Sequence, residues 1–203
     1  MQEDVKSLKE AGAEFIIVSL HWGSEYRDAP TETQKKIAKA LCESGADVIA
    51  GSHSHCVQPI EKYTYTDVNG EVKTSVIMYS LGNFLADQTT LQSMENYGKS
   101  YAKTQNGMKV TLNIKKDGET GKITIENGEY VPTFLLRGRK SNGRYPFYFI
   151  ESGKYAFSET RPEFLKTDAE WQKCKDSYNL VCSTVGNDIS PRTYTAERND
   201  ENA

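Results

Sequence analysis

A chain of 203 residues with a formal net charge of −3 and a pI near 5.7 is long enough for one domain with its own core. That charge argues against nucleic acid, whose binders present a strongly basic face. No apolar run approaches the roughly 18 residues that cross a bilayer, and residues 1–14 lack the apolar core of a signal peptide, so no signal or transmembrane segment is legible.

In chain order, residues 3–11 predict a short helix with Val5 and Leu8 on one face and Gly12 as its stop. The apolar run 15–20 predicts a buried parallel strand, followed by His21 and a polar loop to Pro30. Residues 32–44 predict a helix, capped by Thr31 and Gln34, striped by Ile37 and Leu41, and released by Gly45. A strand over 47–50 follows, then Gly51, His53 and His55. Strand–helix–strand crossovers join parallel strands, so His21 and the His53/His55 pair are expected at one sheet edge.

Beyond this unit the pattern turns to strands. Residues 57–65 and 72–79 flank Asn69-Gly70, a strong hairpin signal. Residues 108–114 and 122–126 flank a turn at Asp117-Gly118, and 131–136 and 145–150 add two more strands. Residues 86–106 are polar and read as a surface excursion. Thr167 and Glu170 cap a last helix expected to end near Tyr178. One domain over 1–186 and a loose tail over 187–203 are expected.

The four cysteines form no Cys-x-x-Cys pair. A Cys174–Cys182 disulfide is open on spacing. The preferred reading puts Cys174 in the core, because Trp171, Cys174 and Tyr178 fall at helical intervals.

The chain has only three histidines, all just past apolar runs, where open α/β sheets place their ligand crevice. Residues two apart in extended chain project to one side, which would align His53 with His55. Imidazole suits manganese, zinc or iron better than magnesium or calcium, so His21, His53 and His55 are the candidate ligands. Cys56 beside His55 offers an alternative closed zinc site, opposed by its alternation to the other side of the strand. Arg137, Arg139, Lys140 and Arg144 form a basic cluster that could hold an anionic polymer. Its commoner explanation is a solvated hairpin tip. The twelve tyrosines suggest packed sheets rather than a base-stacking platform.

Three blocks sharpen this: His21 to Tyr26 (HWGSEY), Gly45 to Glu61 (GADVIAGSHSHCVQPIE) and Tyr79 to Phe84 (YSLGNF). In order and spacing they resemble the bacterial CapA-type poly-γ-glutamate capsule biosynthesis proteins, of the calcineurin-like metallophosphoesterase superfamily. The resemblance covers roughly residues 1–85. It implies a four-layer α/β/β/α sandwich with a metal centre at the strand ends, held by His21 and by one or both of His53 and His55, with catalytic roles for that pair, of which one histidine could instead contact substrate or the leaving group. It implies substrate or supporting contacts for Glu25 and Asn83. It also implies a place on the outer face of the cell membrane, with capsule synthase membrane subunits as partners. Family members commonly have histidine where this chain has Ser52 and proline where it has Ser54. Their Gly-Asp and Asn-His segments, which supply a bridging carboxylate, have no counterpart among these residues. The chain is therefore expected to correspond to the carboxyl-terminal half of such a domain, and a homo-oligomer to cover its exposed sheet surface. Two functional classes follow, a metal-dependent phosphoester hydrolase and a non-catalytic capsule protein that binds anionic chains.

Overall fold

The computed structural model of the chain describes residues 1–86 and 103–194. Helix α1, Gln2–Glu10, buries only Val5. Leu8, expected on the same face, is half exposed, because a helix this short contacts its neighbours along a single narrow line. Strand β1, Ile17–His21, leads through the polar loop to α2, Glu32–Glu43. The capping box forms as expected. Thr31 Oγ1 accepts from the Gln34 amide at 3.2 Å while Gln34 Oε1 accepts from the Thr31 amide at 3.0 Å. Ala38, Leu41 and Cys42 supply the buried stripe, and Gly45 exits with φ of 114°.

Strand β2, Val48–Ser52, pairs directly and in parallel with β1, with His21 opposite Ser52. Strands β3, Ile60–Thr66, and β4, Val72–Met78, form the Asn69-Gly70 hairpin, and β4 inserts beside β2 in parallel. The first sheet therefore runs β1-β2-β4-β3, with β1 at its edge. Helices α1 and α2 cover one face through Val5, Ile16, Leu41, Ile49 and Ile77.

The second sheet contains β5, Asn106–Lys116, β6, Ile123–Arg137, and β7, Phe147–Glu151, all antiparallel. The two strands expected at 122–126 and 131–136 are one. A register shift opposite Asn113 and Ile114 absorbs Glu126 as an extra residue, and a bulge bends a strand without ending it. Gly128 allows close approach within this strand: a Cβ there would lie 2.8 Å from Leu112 Cδ2 and 2.9 Å from the Thr111 carbonyl.

A short helix α3, Ser152–Ala156, precedes α4, Asp168–Val185. The last helix runs about two turns beyond Tyr178, because its stripe continues through Val181 and Val185, both fully buried. These two residues join Val48, Val76 and Met78 of the first sheet and Met108 and Tyr130 of the second in one core. The cysteines are free thiols. Cys174 and Cys182 lie eight residues apart on one helix, about 12 Å by its rise, beyond disulfide reach.

The expected loose tail is anchored over its described part. Ile189 is 2% exposed, Ser190–Pro191 form β8 parallel to β6, Asp188 accepts from the Lys62 amide at 2.7 Å, and Arg192 pairs with Glu129. One apolar residue in a polar stretch carries no periodicity, so the sequence gives no sign of this anchor. Most of the expected surface excursion lies outside the described residues, but Thr104 and Asn106 at its end are buried. Among the described residues no helix is long and apolar enough to cross a membrane.

Candidate functional site

The parallel pairing of β1 and β2 fixes the site. His21 ends β1, and His53 and His55 follow β2 on the same edge. The His21 and His53 ring centroids are 4.3 Å apart, and those of His53 and His55 are 6.3 Å apart. The three rings do meet, but not through the alternation of an extended chain. His53 has φ of 107° and His55 of 57°, left-handed conformations that cost non-glycine residues free energy and cluster at functional loops. Ser54 holds this turn. It is fully buried, its Oγ donating to the Cys56 carbonyl at 2.7 Å and accepting from the Cys56 amide at 3.3 Å.

Glu25 and Asn83 both converge on His55. The His55 Nδ1 lies 3.1 Å from Asn83 Oδ1, and its Nε2 lies 3.5 Å from Glu25 Oε1. Asn83 Nδ2 donates to the Thr104 carbonyl at 2.9 Å, and its backbone amide donates to the Asn106 carbonyl at 3.2 Å. Tyr26, itself at φ of 61°, stacks on His55 at 5.7 Å and donates its amide to the Ser54 carbonyl. Sequence reasoning passed over Tyr26, although it closes the first block, and Thr104, which carries no local signal at all.

Other groups are excluded by place. Cys56 is fully buried, desolvation pushes its thiol up to about 11, and it lines a small cavity with Val181 and Thr184 of α4, away from the imidazoles. Asp28 is held by Lys103, whose hydrogen bond keeps the carboxyl below its ordinary range. Asp47 accepts from the Ile16 amide at the far end of the sheet, and Glu61 accepts from the Tyr79 hydroxyl at 2.8 Å. A concavity of about 720 Å³ also lies at that far end, among Lys9, Asp47 and Lys73. Within it Lys9 pairs with Asp47 at 3.6 Å and Lys73 with Asp67 at 3.9 Å.

The donor chemistry at the histidine edge suits one transition-metal ion, since three imidazoles and one carboxylate are close together. It does not suit two ions, because among the described residues no carboxylate is placed to bridge them. Nor is a ligand set preformed: among the described residues no three His, Cys, Asp or Glu side chains are arranged to hold a metal.

The basic cluster lies at the same end of the molecule. Arg137 ends β6 three residues after Phe134, which pairs with Asn106, and Phe84 beside Asn83 packs on Phe149 of β7 at 4.4 Å. Arg137 stacks over the Tyr145 ring at 3.7 Å, with the Lys140 ammonium 5.8 Å from it. Arg139, Lys140 and Arg144 are exposed around the Ser141–Arg144 turn.

Residues 1–88, which hold all three histidines, Glu25 and Asn83, match the family model described as bacterial capsule synthesis protein PGA_cap. Over this segment the chain is similar to CapA-type proteins. It is 35% identical over 113 residues to the PGA biosynthesis protein CapA of Bacillus subtilis (strain 168), an alignment covering 56% of this chain and 24% of that protein. It is 35% identical over 115 residues to the capsule biosynthesis protein CapA of Bacillus anthracis, covering 55% of this chain and 26% of that protein. The aligned part thus spans about a quarter of the length of these relatives. The CapA-type similarity and the imidazole edge coincide in one segment.

Proposed function

We propose that this chain serves the biosynthesis or export of a bacterial capsule polymer, poly-γ-glutamate, through the imidazole edge of its CapA-type segment. One observation carries the reading: the only three histidines meet at the carboxyl ends of β1 and β2, inside the stretch matching the capsule family. The names of both relatives point to the same process.

In this reading the chain is one metallophosphoesterase-like domain that takes in β8 at Ser190–Pro191, built on a four-layer α/β/β/α plan. Helices on one face of the first sheet and a core shared with the second sheet support it. A single manganese, zinc or iron ion is held by His21, His53 and His55. When bound, such an ion polarises an anionic oxygen of the substrate. His55 presents Nε2 toward Glu25, and Arg137, Arg139, Lys140 and Arg144 neutralise further carboxylates along the polymer. Capsule synthase membrane subunits on the outer face of the cell membrane are the proposed partners, with no role for nucleic acid. A second copy covers the open edge of β1, where Ile17 is 61% exposed.

Metal-dependent phosphoester hydrolysis is the second reading, favoured by the imidazole set alone. With no bridging carboxylate placed among the described residues, we favour the accessory role. The test is metal content after chelator-free purification, followed by phosphodiester hydrolysis with added manganese and by calorimetric titration with poly-γ-glutamate. Bound metal that His21→Ala weakens, polymer binding and no turnover are expected. Turnover would favour the hydrolase, and neither metal nor polymer binding would overturn the proposal.

A further inference from the structure

We propose that Asn83 is a positioning residue that fixes the tautomer of His55, so that Nδ1 always carries hydrogen and Nε2 is the nitrogen offered to a ligand. This deepens the metal-site reading above and rests on it only for its consequence. The argument is one of hydrogen-bond polarity. The Thr104 carbonyl can only accept, so the Asn83 group 2.9 Å from it is the amide NH₂. The other end of the Asn83 amide, Oδ1, therefore faces His55 Nδ1 at 3.1 Å. That oxygen can only accept, so Nδ1 must donate. Any lone pair on the ring is then at Nε2, facing Glu25 Oε1 at 3.5 Å.

A neutral ring held this way sets two acceptors, Nε2 and Glu25 Oε1, against each other, a position that a cation would fill. Metal-bound histidines commonly donate their other N–H to a fixed acceptor, and here an amide fills that role. The support is rigid. Gly82, at φ of 73°, forms an isolated bridge with Gly107. A Cβ on Gly107 would lie 2.3 Å from the Asn83 carbonyl. The start of β5 thus clamps the Asn83 backbone while Thr104 aims its side chain. Asn83 is placed for this role by contacts more than twenty residues away in sequence.

The experiment is long-range ¹H–¹⁵N correlation spectroscopy of the three imidazoles in the metal-free protein, about 2 units above the ordinary imidazole pKa of about 6.5. His55 is assigned by loss of its signals in His55→Gln. His55 should show the Nδ1–H tautomer as the major form. Asn83→Leu, similar in volume, should shift the tautomer ratio toward Nε2–H about fivefold or more, the effect of one net hydrogen bond. Asn83→Asp keeps an acceptor and should retain Nδ1–H. A wild-type His55 found mainly as Nε2–H overturns the proposal, whether or not either variant folds, as does an unchanged ratio in folded Asn83→Leu. Zinc titration separates the two readings. If both hold, zinc moves the His55 Nε2 resonance and binds about 10- to 100-fold more weakly to Asn83→Leu. A correct tautomer with no zinc response would remove the metal reading and leave the role of Asn83 intact.

Discussion

Replacing Gly51 by alanine should destabilise the protein by about 2–4 kcal/mol, and the reason is local crowding. Gly51 lies in β2 opposite Leu20. A Cβ at this position would lie 2.1 Å from the Tyr79 carbonyl oxygen, 2.5 Å from Trp22 Nε1 and 2.8 Å from the Met78 carbonyl oxygen. Two of these atoms are backbone of the chain leaving β4, so relief requires β2 and β4 to part. Overpacking of this kind costs about 1–3 kcal/mol. The Trp22 indole also donates to the Tyr79 carbonyl at 2.9 Å, and displacing that bond adds about 1 kcal/mol. Urea denaturation followed by tryptophan fluorescence reads the sum. With a slope of about 2 kcal/mol per molar, the midpoint should fall by about 1–2 M. Gly118→Ala is the control, because nothing lies within 4 Å of the added methyl, and its midpoint should stay within about 0.3 M. A Gly51→Ala midpoint as close to wild type as the control would refute the reasoning.

Three further outcomes are expected. Ile189→Ala should cost about 2–4 kcal/mol as a buried aliphatic truncation, measured by the same denaturation, whereas an unanchored tail would give no change. Under native conditions Cys182, only partly buried, should react with a maleimide before Cys42, Cys56 and Cys174, whose thiols burial pushes up to about 11. Peptide mass spectrometry finding Cys56 labelled as fast as Cys182 would contradict its placement against α4. The Lys103 hydrogen bond lowers the Asp28 carboxyl pKa in the folded state. It therefore contributes stability that is complete above the ordinary aspartate pKa and lost as pH falls through the lower folded value. Asp28→Asn should flatten the acid limb of the stability profile, and an unchanged limb would show that the pair contributes nothing.

Much of the scaffold was legible because it depends on local rules. The Thr31/Gln34 and Thr167/Glu170 capping boxes form from residues three apart, and a parallel β1–β2 pair follows from one strand–helix–strand pattern. Even the meeting of His21 with His53 and His55 followed from that crossover. The approach of the imidazoles was misread in detail, because alternation holds only for extended chain and both His53 and His55 adopt positive φ. The union of 122–126 with 131–136 into β6 follows from a bulge that only the pairing with β5 reveals.

The α/β class, the edge on which the histidines fall and the CapA-type similarity can all be read from the chain alone, since each depends on patterns within short stretches. It takes the folded arrangement to bring Asn83 and Glu25 onto His55, to set Cys56 against α4, to anchor the tail through Ile189 and to bring the basic hairpin to the histidine end. These pairings join residues about 30 to 130 positions apart, where side-chain identity sets no register and backbone packing alone brings the groups into contact.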